Sequence, residues 1–425
     1  MHKSNRMKIL LRQAKIYQKS NPLHLQQKDL LIDNGVIAKI DDRIEAGDAQ
    51  VIESPELSVS IGWFDPYVEV GDPGFEENET LESVSKAAVK GGFSAIGVLP
   101  KSNPVADNKS QIEYLINRGQ ALPIEIYPIG ALSEGRKGEN ITEYYDMKQS
   151  GAIAFSDGQK GIDNANLLKK ALLYNQPFGG KVMAFSEDAS IASNGMVNES
   201  PNTMSLGLKF RPALAEEIQI QRNIQLVEYT GGSLHFSCVS TAKGVELIRG
   251  AKAKGLNVTA DVSVNNLLYN DEVLSGFDTN YKVLPTLKSD FDQKALFKGI
   301  QDGTIDAITM NHAPRTIELK KVAFDHADFG ISGLETALNS LVALNSDLPL
   351  EKLINLVSVQ TRKIFGVTAG SIEVGKVADL TIFDPSIDVT IEAKNWKSKS
   401  KNNPMLSQVM KGKVLGVVTK GKLIK

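Results

Sequence analysis

Cysteine is nearly absent from this chain. Its single residue, Cys238, excludes an internal disulfide framework and suits a reducing compartment. An excess of either charge is also missing. The formal net charge is −2 and the pI is near 6.3, so there is no electrostatic footprint for nucleic acid or an anionic membrane. The early Lys3, Arg6 and Lys8 are not joined by an apolar stretch long enough for a signal peptide or a membrane span, and the expectation is a cytoplasmic protein. No Gly-x-Ser-x-Gly elbow occurs, and Ser156 beside Asp157 has no evident base, which sets aside a serine hydrolase. The absence of a Gly-x-x-x-x-Gly-Lys-Ser/Thr run sets aside a P-loop.

What is present is ordinary in bulk and ordered in pattern. Hydrophobic residues make up 42% and charged residues 23% of 425, enough for a sizeable core. That length suits a large barrel with an accessory unit. Short apolar runs at Ile9–Leu11, Leu30–Ile32 and Val36–Ile40, with a turn at Asp33–Asn34–Gly35, predict a small β unit near the start. Strand-like runs then recur at Ala95–Leu99, Ile124–Ile129, Ala152–Phe155, Lys181–Phe185, Ser233–Val239, Asn257–Val262 and Ile305–Met310. Helix-like segments such as Leu81–Lys90, Ala242–Lys254 and Asp290–Gln301 lie between them, and this alternation predicts a parallel α/β architecture, with a closed barrel leading. The tail returns to β character at Asp379–Phe383, Gln408–Met410 and Val414–Val418. The run Lys397–Lys401 reads as a solvated loop.

The segment Gly62-Trp63-Phe64-Asp65-Pro66-Tyr67-Val68-Glu69-Val70-Gly71-Asp72-Pro73-Gly74-Phe75 resembles the opening of the dihydroorotase family of cyclic amidohydrolases. In that family the opening carries His-x-His, then an arginine two residues on, ahead of Pro-Gly-Phe-Glu. Pro73 to Glu76 keep the pattern, while Tyr67, Glu69 and Gly71 replace the two histidines and the arginine. Further similarity runs through Ala87–Phe93, Leu234–Ala242, Asp302–Ile308 with Asn311–Pro314, Phe329–Leu338 and Gly370–Pro385. The resemblance implies a (β/α)8 barrel plus a small β-sandwich built from both chain ends. Its expected divisions are residues 1–60 for the first part of the sandwich, 61–369 for the barrel and 370–425 for the second part.

The same resemblance locates a site and shows it stripped. Residues two apart on a strand share a face, which is how His-x-His aims two imidazoles at one ion. The four ligand-histidine positions fall on Tyr67, Glu69, Phe185 and Cys238, with Asp157 the one metal-type carboxylate retained. The catalytic aspartate position is Asn311, and an amide cannot shuttle a proton at neutral pH. Substrate-binding positions fall on Gly71, Lys101, Leu284 and Arg315. His235, one of only five histidines, reads as a hydrogen-bonded barrel residue, His312 as a relic capping the barrel mouth, and His2, His24 and His326 as surface or loop residues.

The expected function is therefore a dihydroorotase-like protein of pyrimidine biosynthesis that is catalytically inactive and holds no cofactor. It would act as a structural or assembly partner of aspartate transcarbamoylase, as a homo-oligomer. The alternative is an active dihydroorotase or other cyclic amidohydrolase using zinc on a re-drawn site of Glu69, Asp157 and Cys238.

Overall fold

The computed structural model describes residues 7–425; His2, Lys3 and Arg6 lie outside the described residues. Near its start, strands β1 (Lys8–Tyr17), β2 (Gln27–Asp33) and β3 (Val36–Asp41) are followed by the short β4 (Gln50–Ile52) and β5 (Ser58–Ile61). The β2–β3 hairpin turns on Asn34 and Gly35, whose φ values of 49° and 77° are the left-handed pair a tight hairpin turn demands.

Eight parallel strands come next in sequential order: β6 (Trp63–Val68), β7 (Phe93–Val98), β8 (Glu125–Gly130), β9 (Ala154–Phe155), β10 (Val182–Phe185), β11 (Leu234–Ser237), β12 (Val258–Ser263) and β13 (Ala307–Thr309). Helices including Leu81–Gly91, Lys109–Gln120, Leu214–Thr230, Ala242–Ala253 and Asp290–Asp302 separate them. Each turns an apolar face inward; in the first of these, Leu81, Val84, Ala88 and Val89 are buried at helical spacing. First and last strands meet through a parallel bridge between Val68 and His312. Asp65 fastens the same seam, its carboxylate accepting from the Thr309 hydroxyl at 2.6 Å and the Met310 N–H at 2.7 Å. This is the (β/α)8 barrel that the alternation predicts.

Strands β14 (Leu380–Thr390), β15 (Val409–Thr419) and β16 (Lys422–Ile424) complete the second sheet, in the order β16-β15-β14-β5-β1-β2-β3. Because β14 pairs antiparallel with β5, both ends of the chain share this curled sheet and its own apolar core, which includes Ile9, Ile16, Leu30, Ile61 and Leu380. The runs 408–410 and 414–418 are not two strands but one, with a register shift beside Gly416 that lets β15 bend without breaking.

The lysine-rich run also departs from expectation. It is a strap fastened across the barrel end, with Ser398 and Ser400 buried and Lys397, Lys399 and Lys401 outward. Glu335 accepts the N–H groups of Lys397 and Ser398 at 2.7 and 2.8 Å, Glu79 accepts the Ser398 hydroxyl, and Ser400 donates to the Asn78 carbonyl at 2.8 Å. Alternation of serine and lysine, rather than lysine content, decides its placement.

Candidate functional site

In such barrels chemistry sits at the C-terminal ends of the strands. Here that end is partly filled by an apolar cluster. Tyr67 near the end of β6, Phe185 at the end of β10, Cys238 just beyond β11 and Leu284 are all buried in one cluster with Leu99 and Met183. The Tyr67 hydroxyl is enclosed and finds no hydrogen-bond partner among the described residues. Burial first, then the charges of Cys238, Asp261 and Glu69, push its pKa well above the ordinary phenol value, so it stays protonated. The Cys238 thiol is likewise raised by burial and by Asp261, and its backbone N–H donates to Asp261 at 2.6 Å.

Glu69, two residues beyond Tyr67, begins a polar layer. One of its carboxylate oxygens lies 2.9 Å from the Lys101 ammonium and 2.9 Å from the Arg315 guanidinium. Burial alone would raise this carboxyl; Arg315 and Lys101 overcome that and hold it at about 2. Glu69, Lys101 and Arg315, at positions where the resemblance expects a metal ligand and two substrate anchors, thus form an internal ion triad. The fourth anchor position is closed sterically. A Cβ on Gly71 would come 2.0 Å from the Phe75 carbonyl oxygen, so this turn has no room for the family's arginine.

Asn311 closes the mouth from the last strand. Its backbone is left-handed, with φ of 49°, and both ends of its amide are used. Nδ2 donates to the Leu284 carbonyl at 2.8 Å, and Oδ1 accepts from Gln159 at 2.7 Å. Asp157 is committed to the segment after β8, accepting from the N–H groups of Leu132 and Ser133 at 2.9 and 3.0 Å and from the Ser133 hydroxyl at 2.5 Å. His235 is buried between Thr259 and Asp261, 2.8 Å from each. His312 is buried where Leu334 donates to Nδ1 at 3.4 Å and Glu79 lies 3.5 Å from Nε2. His24 is half-buried in the turn between β1 and β2, and His326 is exposed.

A zinc ion bound in the family manner does not fit these donors. Zinc needs neutral nitrogen, thiolate or carboxylate ligands converging on one point. The four positions offer a protonated phenol, a salt-bridged carboxylate, a phenyl ring and a protonated thiol. Nor is the alternative set assembled: Glu69, Asp157 and Cys238 make no common site, because each carboxylate is committed to other partners. Among the described residues no group of three or more His, Cys, Asp or Glu side chains could hold a metal.

Residue types alone did not single out Gln159, Asp65 or Asp261. Asp65 had a signal, since it lies two before Tyr67 and so shares its strand face. Gln159 had none; its bond to Asn311 spans 152 positions. Burial lifts the Asp65 carboxyl to about 6, against its hydrogen bonds. A raised native pKa favours the fold below the unfolded value near 3.8 and that benefit is lost as pH rises through about 6. Glu69 has the opposite sign, its benefit present above 4.5 and lost as pH falls towards 2. Denaturant titrations at pH 4 and pH 7 are expected to give a slope that flattens in Asp65→Asn by roughly 3 kcal/mol across the window. An unchanged slope would assign the pH dependence elsewhere.

Comparison with known proteins agrees with the fold. The family described as Dihydro-orotase-like matches residues 59–244, and the Amidohydrolase family matches residues 210–424. The dihydroorotase of a Thermoanaerobacter species is 38% identical over 93% of this chain and 92% of its own length. That of Syntrophus aciditrophicus is 36% identical over 98% of this chain and 99% of its own. Among solved structures, the L-hydantoinase (dihydropyrimidinase) from Arthrobacter aurescens superposes with a TM-score of 0.84 over 98% of this chain and 95% of its own, at 22% identity, a likeness of fold. With its barrel, its two-ended sheet and near full-length relatives, the chain belongs to the dihydroorotase family of amidohydrolases.

Proposed function

We propose that this protein serves pyrimidine biosynthesis without chemistry of its own, as a structural or assembly partner of aspartate transcarbamoylase. One observation carries the reading: the positions for metal, proton transfer and substrate are taken up by the chain's own contacts. Asn311 spends its amide on Leu284 and Gln159, Glu69 is neutralised by Lys101 and Arg315, and Phe185 occupies a ligand position. Relatives named dihydroorotase support the pathway. Persistence of the whole barrel and sheet alongside a filled site supports use of the folded surface. We place the protein in the cytoplasm as a homo-oligomer; no helix among the described residues is long and apolar enough to cross a membrane.

The test pairs two readouts on the intact chain. With added Zn²⁺, neither closure of carbamoyl-aspartate nor opening of dihydroorotate is expected above background, and elemental analysis is expected to find no near-stoichiometric zinc. Mixed with its own organism's transcarbamoylase, the chain is expected to run as a complex by native mass. Turnover that disappears in Asn311→Ala or Asp157→Ala would sink the inactive reading. Separate elution at micromolar concentrations, with transcarbamoylase activity and stability unchanged, would sink the partnership.

A further inference from the structure

Beside the filled mouth lies a second cavity, of about 750 Å³. Four distant segments wall it: Glu77, Thr279–Asn280, Arg315–Lys321 after the last barrel strand, and the strap at Lys399–Asn402. Its cationic side chains are Arg315, Lys320, Lys321, Lys399 and Lys401. Only Glu77 and Glu318 oppose them, so the lining carries a clear positive excess.

Those cations are poorly compensated. Among the described residues no carboxylate pairs with Lys320, Lys321 or Lys401. The Lys320 ammonium is buried against three neutral oxygens, the carbonyls of Lys282, Asp328 and Gly330, at 3.3, 3.0 and 3.1 Å. Lys399 donates to the Glu76 carbonyl and lies near the exposed Glu76 carboxylate. Arg315 does have a carboxylate, Glu69, but shares it with Lys101. Burial first, and then the nearby charges of Arg315 and Lys282 against those of Asp278 and Asp328, push the Lys320 pKa down to about 7.

The wall is also fixed in place. The strap is fastened through Glu335, Glu79 and Asn78, and Asn402 is bonded to Gly330 at 3.0 Å and to the Arg315 N–H at 3.1 Å. Lysines held on a fastened strap lose less freedom on binding than lysines on a mobile loop.

We propose that this cavity binds a multiply charged, phosphate-bearing small molecule. Lysine ammonium groups act as point charges suited to phosphate oxygens, while the planar fork of Arg315, which could clamp either a carboxylate or a phosphate, is committed to Glu69. The volume of this half-open cavity suits a small molecule. The site stands whether or not the barrel is catalytically silent.

Inorganic pyrophosphate is the probe, titrated calorimetrically into the full chain at constant ionic strength, with citrate as the carboxylate counterpart. Pyrophosphate is expected to bind and citrate to bind at least about tenfold more weakly. Lys321→Gln with Lys401→Gln, both exposed and so safe for folding, is expected to weaken pyrophosphate binding about tenfold or more. A control pair of equal charge change, Lys86→Gln with Lys298→Gln, is expected to leave it unchanged. No pyrophosphate binding at millimolar concentration overturns the proposal, as does an equal loss in the control pair. Citrate binding as tightly as pyrophosphate overturns the phosphate assignment.

Discussion

Asn311→Asp, which returns the family's proton-transferring carboxylate, is expected to lower stability by about 2–4 kcal/mol and to produce no turnover. The amide is used at both ends, donating to the Leu284 carbonyl at 2.8 Å and accepting from Gln159 at 2.7 Å. An aspartate keeps the Gln159 bond but sets a carboxylate oxygen against the Leu284 carbonyl, two acceptors facing each other in a buried place. Either the group ionises beside a carbonyl or it protonates, and both outcomes cost free energy. Thermal and denaturant unfolding measure the loss, and a dihydroorotate assay measures activity. Asn311→Asp as stable as the parent would show that the amide is not a clamp.

Glu69→Gln is expected to be as damaging, about 3–5 kcal/mol, since it leaves Lys101 and Arg315 without their shared counter-ion. Lys101→Met should behave differently. Its side chain is 37% exposed, so water already screens it, and its loss leaves Arg315 on Glu69 at a cost under about 1 kcal/mol. In Lys101→Met, removing Glu69 should then hurt less than in the parent, because one stranded cation is gone. A double-mutant cycle on unfolding free energies reads this coupling directly. Additive losses would mean that the three residues do not act as a unit.

The barrel was legible because its strands are short apolar runs at even spacing, and spacing survives even where side chains change. The runs Lys181–Phe185 and Asn257–Val262 fall within a residue of β10 and β12. That Tyr67, Phe185 and Cys238 would come together was legible too, since the resemblance set them at ligand positions of one site and they share one buried cluster. What replaced the old chemistry was not. The pairing of Glu69 with Lys101 and Arg315 joins three separate loops, and no local pattern specifies that three changed residues will meet. The strap failed for a related reason: lysine content suggests solvent, whereas Ser398 and Ser400 are buried because Glu79 and Asn78, over 300 positions earlier, present acceptors to them.

That strap also sets an order of events during synthesis. The barrel end holding Glu79 emerges from the ribosome early, while Ser398, its partner, lies 319 positions further along. Domains generally organise as the chain is made, but contacts this remote cannot form until nearly the whole chain has been released. Between completion of the last barrel strand at 307–309 and synthesis of the strap, the barrel therefore carries an open end, with the carboxylate of Glu79 lacking its strap partner and the lysines of the strap still absent. Closing that end is among the last steps of maturation, so a nascent chain and a finished one present different surfaces at the same place.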